Sequence, residues 1–186
     1  MEPNTARKCS PGSLGNESAE ESDVLLLDVT EDIYAGDISR LMGVSYLSQA
    51  PDLLARDLPV EVGAIIYGPN GRTITSLIVT YKGNSRWVFF LIDTGAPKTF
   101  LSLEAYSALG IPWTQELGAW VTIAGRATIV CQSPVKSHFA HVNILGTDFV
   151  EKVGLVKLED YSRKPTAIYF TDDARGTANL WRRLRL

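Results

Sequence analysis

The sequence predicts a mainly β fold with a few short helices, and three patterns lead to that prediction. Apolar segments of strand length recur along the middle of the chain, separated by turns that contain glycine. Residues 89–92 are four consecutive large apolar side chains, which indicates a strand buried on both faces. Segments with helical character, such as residues 103–109 before Gly110 and Pro112, are short.

Composition places the chain among ordinary folded proteins. It has 186 residues, 45% of them hydrophobic, which is enough for one domain with extensions. The net charge of -3 gives no general case for nucleic-acid binding, and Arg182, Arg183 and Arg185 of the basic tail are expected to be solvated. Two cysteines, Cys9 and Cys131, imply no disulfide framework. Without a visible signal peptide or bilayer-spanning run, an intracellular, cytoplasmic protein with no membrane partner is expected.

Composition and pattern divide the chain into four regions. These are a disordered leader (1–22), an extension of unknown role (23–62), the main domain (63–172) and a basic tail (173–186). The extension holds three apolar segments predicted to be ordered, a strand at 24–29 and helices at 37–42 and 51–58.

The central feature is Asp93-Thr94-Gly95, which directly follows the buried apolar run. The strand delivers a carboxylate to the edge of the core, and Gly95 is expected to take backbone angles that other residues avoid. By itself the triplet fits a plain turn acid as well as a catalyst. The strands predicted ahead of it are residues 64–67, 73–81 and 87–92.

A second round of the same pattern begins at residue 121. Residues 121–125 repeat the pattern of residues 79–83, and the apolar pair 144–145 ends in a glycine as the first round does. Two such halves suggest an internal pseudo-twofold. The elements predicted here are a hairpin over 121–131, a strand at 138–145, a helix at 147–153 capped by Thr147 and stopped by Gly154, and strands at 155–158 and 167–170.

Taken together, residues 73–170 resemble the retropepsin-like family of aspartic proteases. The match rests on the Asp motif at 91–96, on Thr-Phe-Leu-Ser at 99–102, and on a second signature of two apolar residues and a glycine at 144–146. The resemblance implies an acid-protease-like closed barrel with one lobe per chain. It also implies a homodimer acting on peptide or protein substrates without cofactor or metal. The continuation into 167–170 is more similar to cellular and retroelement members than to the shortest viral ones.

The resemblance also implies a mechanism. Peptide hydrolysis by carboxylates needs an ionised one that accepts a proton from water and a neutral one that donates to the scissile carbonyl oxygen. Two carboxylates about 3 Å apart share one proton. The chain has one such motif, so two chains related by a twofold axis would each supply Asp93. The expected supporting residues are Thr94, which reaches across the axis, Gly95 and Ala96, which let the loops approach, and the second signature, Ile144, Leu145 and Gly146.

One piece of the family pattern is missing or reduced. Family members carry a flap hairpin between the helix after the Asp motif and the hairpin of the second half. Here either only residues 112–120 occupy that place, or residues 120–130 are themselves the flap and the second half lacks a hairpin. This departure motivates an alternative function, a non-catalytic dimerisation or peptide-binding module with the same fold.

The other candidate residues are expected to be structural. His138 and His141 are three residues apart on a predicted strand, so they face opposite sides and make a poor metal pair. Asp148 is expected to be a first-turn helix acid with no chemical role. Trp120 is assigned to the core and Arg126 to solvent.

Overall fold

The computed structural model describes residues 29–56, 59–112, 118–134, 140–159, 165–172 and 174–184. The predicted leader, His138 and the predicted strand at 24–29, apart from Val29, lie outside this part. The strands within it are β1 (Glu61–Tyr67), β2 (Arg72–Tyr81), β3 (Asn84–Ile92), β4 (Phe100–Leu101), β5 (Ala119–Ile123), β6 (Arg126–Gln132), β7 (Ile144–Leu145), β8 (Leu155–Glu159) and β9 (Pro165–Phe170). The helices are α1, composed of Glu31–Ile33, a π-helical turn at Tyr34–Ile38 and Ser39–Met42, then α2 (Asp52–Arg56), α3 (Leu103–Leu109), α4 (Thr147–Lys152) and α5 (Ala174–Leu184).

Six strands close into a barrel. Their order is β3-β7-β4-β6-β5-β2, and β2 also pairs with β3, which completes the circle. The pairs β3–β7 and β4–β6 are parallel, whereas β2–β3, β2–β5, β4–β7 and β5–β6 are antiparallel. Strands β1, β9 and β8 extend the sheet outward from β2. The predicted mainly β fold, with a closed barrel and short helices, is confirmed.

The two faces of β3 belong to two different hydrophobic clusters. Val88, Phe90 and Ile92 point into the barrel and pack with buried side chains of β2, α3, β5 and α4. Phe89 and Leu91 point outward, yet both are buried. The end of this strand is therefore buried on both faces, as the unbroken apolar run predicts.

The outer face of β3 is covered by the segment 29–46, which precedes the barrel in the chain. Val29, Tyr34 and Ile38 of this segment are buried in the same cluster as Phe89. The ring of Tyr46 lies 5.3 Å from that of Phe89 and 5.0 Å from that of Tyr34, between centroids. Such aromatic contacts add to the burial of apolar area, so this segment packs as part of the barrel's hydrophobic core.

The helices differ from prediction mainly at their starts. Helix α1 begins six residues earlier than predicted, because Thr30 caps it by accepting a hydrogen bond from the Ile33 N–H. Helix α4 is capped by Gly146 rather than Thr147, and Gly154 follows it with a φ of 56° as expected for a stop. Among the described residues, no helix has the length and apolar character needed to cross a bilayer.

The predicted strand at 138–145 is wrong over residues 140–143. Only Ile144–Leu145 has strand geometry, and the preceding described residues form a turn. The carbonyl of Asn143 still accepts a hydrogen bond from Leu91 N–H at 2.9 Å, on the edge of β3 that faces β7. The next acceptor on that edge, the carbonyl of Phe89, is bonded by the Asn143 side chain at 3.0 Å. A side chain therefore takes the place of a strand hydrogen bond.

Candidate active site

Asp93 stands at the point where β3 leaves the barrel. Its N–H donates to the carbonyl of Leu145 at 3.2 Å, so the parallel pairing of β3 with β7 extends to the first loop residue. Its carbonyl accepts from Ala96 N–H at 3.2 Å, which closes a turn. Its carboxylate oxygen Oδ1 accepts from Gly95 N–H at 2.8 Å. The carboxylate is half-buried and is oriented by the backbone of its own loop.

The requirement for glycine at 95 differs from the one expected. Gly95 is not among the residues with positive φ, so the turn does not depend on unusual backbone angles. A Cβ at this position would instead lie 3.1 Å from Oδ1 of Asp93. Because glycine has no Cβ, the Asp93 carboxylate can accept the hydrogen bond from the Gly95 N–H, and no side chain covers this side of the loop.

The second signature lies directly beneath the Asp93 loop. Ile144 and Leu145 pair in parallel with the last two residues of β3. A Cβ on Gly146 would lie 2.2 Å from the carbonyl oxygen of Lys98 and 2.9 Å from that of Ala96, so no other residue fits there without moving backbone. The structure thus brings together Asp93, Ala96 and the signature residues, which are about 50 positions apart in the sequence.

Two threonines connect the loop to helix α4. Thr99 is fully buried, and its hydroxyl donates to Asp148 Oδ1 at 2.7 Å while accepting from the Gly146 N–H at 3.2 Å. The Thr147 N–H donates to the carbonyl of Ala96 at 2.9 Å. Asp148 lies in the first turn of α4, as predicted, and here it also anchors the segment that follows the Asp93 loop.

A cavity of about 330 Å³ opens beside the Asp93 carboxylate. Its walls are apolar apart from that carboxylate. The residues that line it are Asp93, Gly95, Ala96, Pro97, Phe100, Pro134 and Ile144. Within the described part of the chain, the lining includes a single acid. A site with two carboxylates would therefore need a second copy of this loop.

Asn143 is a supporting residue that sequence reasoning missed. It is fully buried, and its Oδ1 accepts from Ser102 N–H at 2.8 Å. Its Nδ2 donates to the carbonyl of Phe89 at 3.0 Å and to the hydroxyl of Tyr46 at 2.7 Å. This one amide joins β3, the start of α3 and the N-terminal segment. The available signal was a polar residue immediately before the apolar pair of the second signature.

The hairpin β5–β6 forms two of the six barrel strands, and its tip does not project away from the barrel. Its tip residue Ala124 is buried and donates its N–H to the carbonyl of Ile78 at 2.9 Å. Arg126, expected in solvent, is 7% exposed and binds both oxygens of Asp172 at 2.6 and 2.8 Å. Trp120, assigned to the core, is 67% exposed. Of the two arrangements left open, the position of β5 and β6 within the barrel matches the one in which this hairpin is the second-half hairpin. Most of the segment that would precede it, residues 113–117, lies outside the described residues.

The comparisons with known proteins found one similar solved structure. No protein-family model and no curated protein matches the chain. The solved structure is a retropepsin-like aspartic protease from Rickettsia conorii, with a TM-score of 0.41 and 16% sequence identity. The alignment covers 59% of this chain and 90% of that one.

Proposed function

We propose that this chain is one subunit of a homodimeric aspartic endopeptidase that hydrolyses a polyprotein or a cellular protein. The observation that carries the proposal is the placement of Asp93. Its carboxylate lies at the wall of an apolar cavity, on a loop held from below by the second signature. A structural turn acid has no need of an adjoining cavity or of a glycine packed against the loop backbone.

In the proposed dimer, the two Asp93 carboxylates would lie side by side and share one proton. The ionised carboxylate takes a proton from the attacking water, and the neutral one donates its proton to the carbonyl oxygen of the scissile bond. Thr94 is exposed at the loop surface, as a residue that contacts the partner's loop would be. Gly95 and Ala96 are the loop residues assigned to the close approach of the two subunits.

The cavity supports an apolar side chain next to the scissile bond. Pro97, Phe100 and Ile144 are among the apolar residues that line it together with Asp93. Burying a leucine- or phenylalanine-sized side chain there would contribute about 1.5–3 kcal/mol to substrate binding. We therefore propose extended peptides with large apolar residues at the cleavage point as the substrate class.

We also propose that the four regions predicted from composition are organised around this activity. Residues 63–172 would be the protease domain, residues 1–22 a leader and residues 173–186 a basic tail. The extension, residues 23–62, would be a structural part of the protease, since Tyr34 and Tyr46 pack against β3 next to the Asp93 loop.

The test is the isosteric variant Asp93→Asn. It should abolish cleavage of a peptide library at acidic pH, where a shared proton is retained, and should leave the dimer intact by sedimentation velocity. Asp52→Asn, at an exposed acid on α2, is the matched control and should cleave normally. Full activity of Asp93→Asn, or a purely monomeric active species, would refute the proposal.

The short connection between α3 and β5 motivates a second function, a non-catalytic peptide-binding or dimerisation module. Only residues 110–118 join these elements, and hairpin β5–β6 is itself part of the barrel. Such a module would bind extended apolar peptides in the same cavity without turnover at any pH from about 3 to 7. Product formation that disappears in Asp93→Asn separates the two functions.

A further inference from the structure

Three side chains with metal-binding atoms meet where α1, α3 and the turn before β7 come together. Glu31 belongs to the first turn of α1, Glu104 to the first turn of α3, and His141 to the turn before β7. One ligand atom from each lies within 4.8 Å of the other two. Nδ1 of His141 is 2.6 Å from Oε1 of Glu104. The three residues are up to 110 positions apart, so only the fold brings them together.

Among the three side chains of the cluster, His141 alone can supply a positive charge or a hydrogen-bond donor to the two carboxylates. The Glu104 side chain is 18% exposed, and its Oε2 is buried with no hydrogen-bond partner among the described residues. Two carboxylates and one imidazole therefore face a common point, and one carboxylate oxygen there has no partner.

We propose that Glu31, Glu104 and His141 form a site for a divalent transition-metal ion of the zinc type. One imidazole nitrogen and two carboxylate oxygens are a ligand set that Zn²⁺ accepts, with water in the remaining position. The charges fit as well, because two carboxylates neutralise one divalent ion.

The geometry needs only small adjustments. Around a tetrahedral zinc with bonds of about 2.0–2.1 Å, ligand atoms lie about 3.3 Å apart. The 2.6 Å contact between His141 and Glu104 would open by about 0.7 Å, and the other separations, all within 4.8 Å, would close by about 1.5 Å at most. Glu31 and His141 are exposed, His141 by 55%, so rotation of their side chains can supply these movements without moving backbone.

A metal ion here would connect the N-terminal segment to the support of the Asp93 loop. Glu31 lies on α1, whose Tyr34 packs against β3, and His141 is two residues before Asn143. Binding would hold α1 against α3 and the turn before β7. This role does not depend on catalysis by Asp93, so the site can exist whether or not the chain is a protease.

The experiment uses the full chain, stripped with a chelator and then titrated with Zn²⁺ by calorimetry. One ion per chain should bind, and the melting temperature should rise with Zn²⁺ concentration. Glu31→Gln and His141→Ala should each weaken binding by about tenfold or more. Without metal, Glu31→Gln should melt close to the unmodified chain, because Glu31 is an exposed side chain.

Two matched variants serve as controls. His138→Ala removes the other histidine of the chain, and Asp32→Asn removes the neighbouring acid on α1. Both should bind Zn²⁺ like the unmodified chain. The proposal fails if the unmodified chain binds no stoichiometric Zn²⁺, or if the controls lose as much affinity as Glu31→Gln and His141→Ala.

Discussion

Replacing Asn143 with alanine removes an amide that bonds three separate parts of the fold. The Oδ1 atom accepts from Ser102 N–H, and Nδ2 donates to the Phe89 carbonyl and the Tyr46 hydroxyl. Asn143 is 0% exposed, so two backbone groups, Ser102 N–H and Phe89 C=O, would lose a partner where water is excluded. Each such loss costs about 1–3 kcal/mol, so Asn143→Ala should lower the free energy of unfolding by about 2–6 kcal/mol.

The assay is urea unfolding followed by tryptophan fluorescence. A total stability of about 5–15 kcal/mol is typical of a domain, so this loss should shift the midpoint strongly while leaving the slope m unchanged. Tyr46→Phe is the graded comparison, because it removes one hydroxyl from the same network and leaves both backbone partners bonded. It should cost about 0.5–1.5 kcal/mol. If Asn143→Ala lowers the free energy of unfolding by less than about 0.5 kcal/mol, the hydrogen bonds of Asn143 do not stabilise this region.

Two further substitutions test the loop support and the buried ion pair. Gly146→Ala places a Cβ 2.2 Å from the carbonyl oxygen of Lys98, so it should lower the free energy of unfolding by more than the usual 1–3 kcal/mol of overpacking. Gly63→Ala is the control, because a Cβ there has no atom within 4 Å. Its free energy of unfolding, measured in urea, should change by less than about 0.5 kcal/mol. Equal stability of the two variants would contradict the close packing beneath the Asp93 loop. Asp172→Asn leaves Arg126 buried without its charge partner, and since Asp172 is 27% exposed the expected loss is about 1–3 kcal/mol, less than for a fully buried pair. An unchanged thermal unfolding midpoint would show that this pair contributes nothing.

Local patterns predicted most of the strands that make up the barrel. The segments 73–81 and 87–92 are long, apolar and bounded by glycine turns, and β2 and β3 form there within a few residues of the predicted ends. Helix α3 has its predicted bounds, because Ser102 caps it and Gly110 ends it, and both signals lie directly beside the helix in the sequence.

The errors concern residues whose surroundings come from distant parts of the chain. Arg126 is expected in solvent by its type, but Asp172, 46 positions away, supplies both carboxylate oxygens, and the Phe170 ring lies 4.3 Å from its guanidinium carbon. Trp120 is expected inside by its type, but strand alternation places it on the outer face of β5. Residue type alone does not determine burial, because a charged group can be buried wherever a partner of opposite charge is available.

The sequence alone determined the loop that carries Asp93, the second signature and the alternation that builds the barrel strands. These features depend on residues that lie next to one another in the sequence. Only the tertiary structure decided that segment 29–46 covers β3, that Asn143 joins three elements, and that Glu31, Glu104 and His141 meet. Each of these depends on contacts between residues tens of positions apart, and such contacts arise when burial of apolar area brings the elements together.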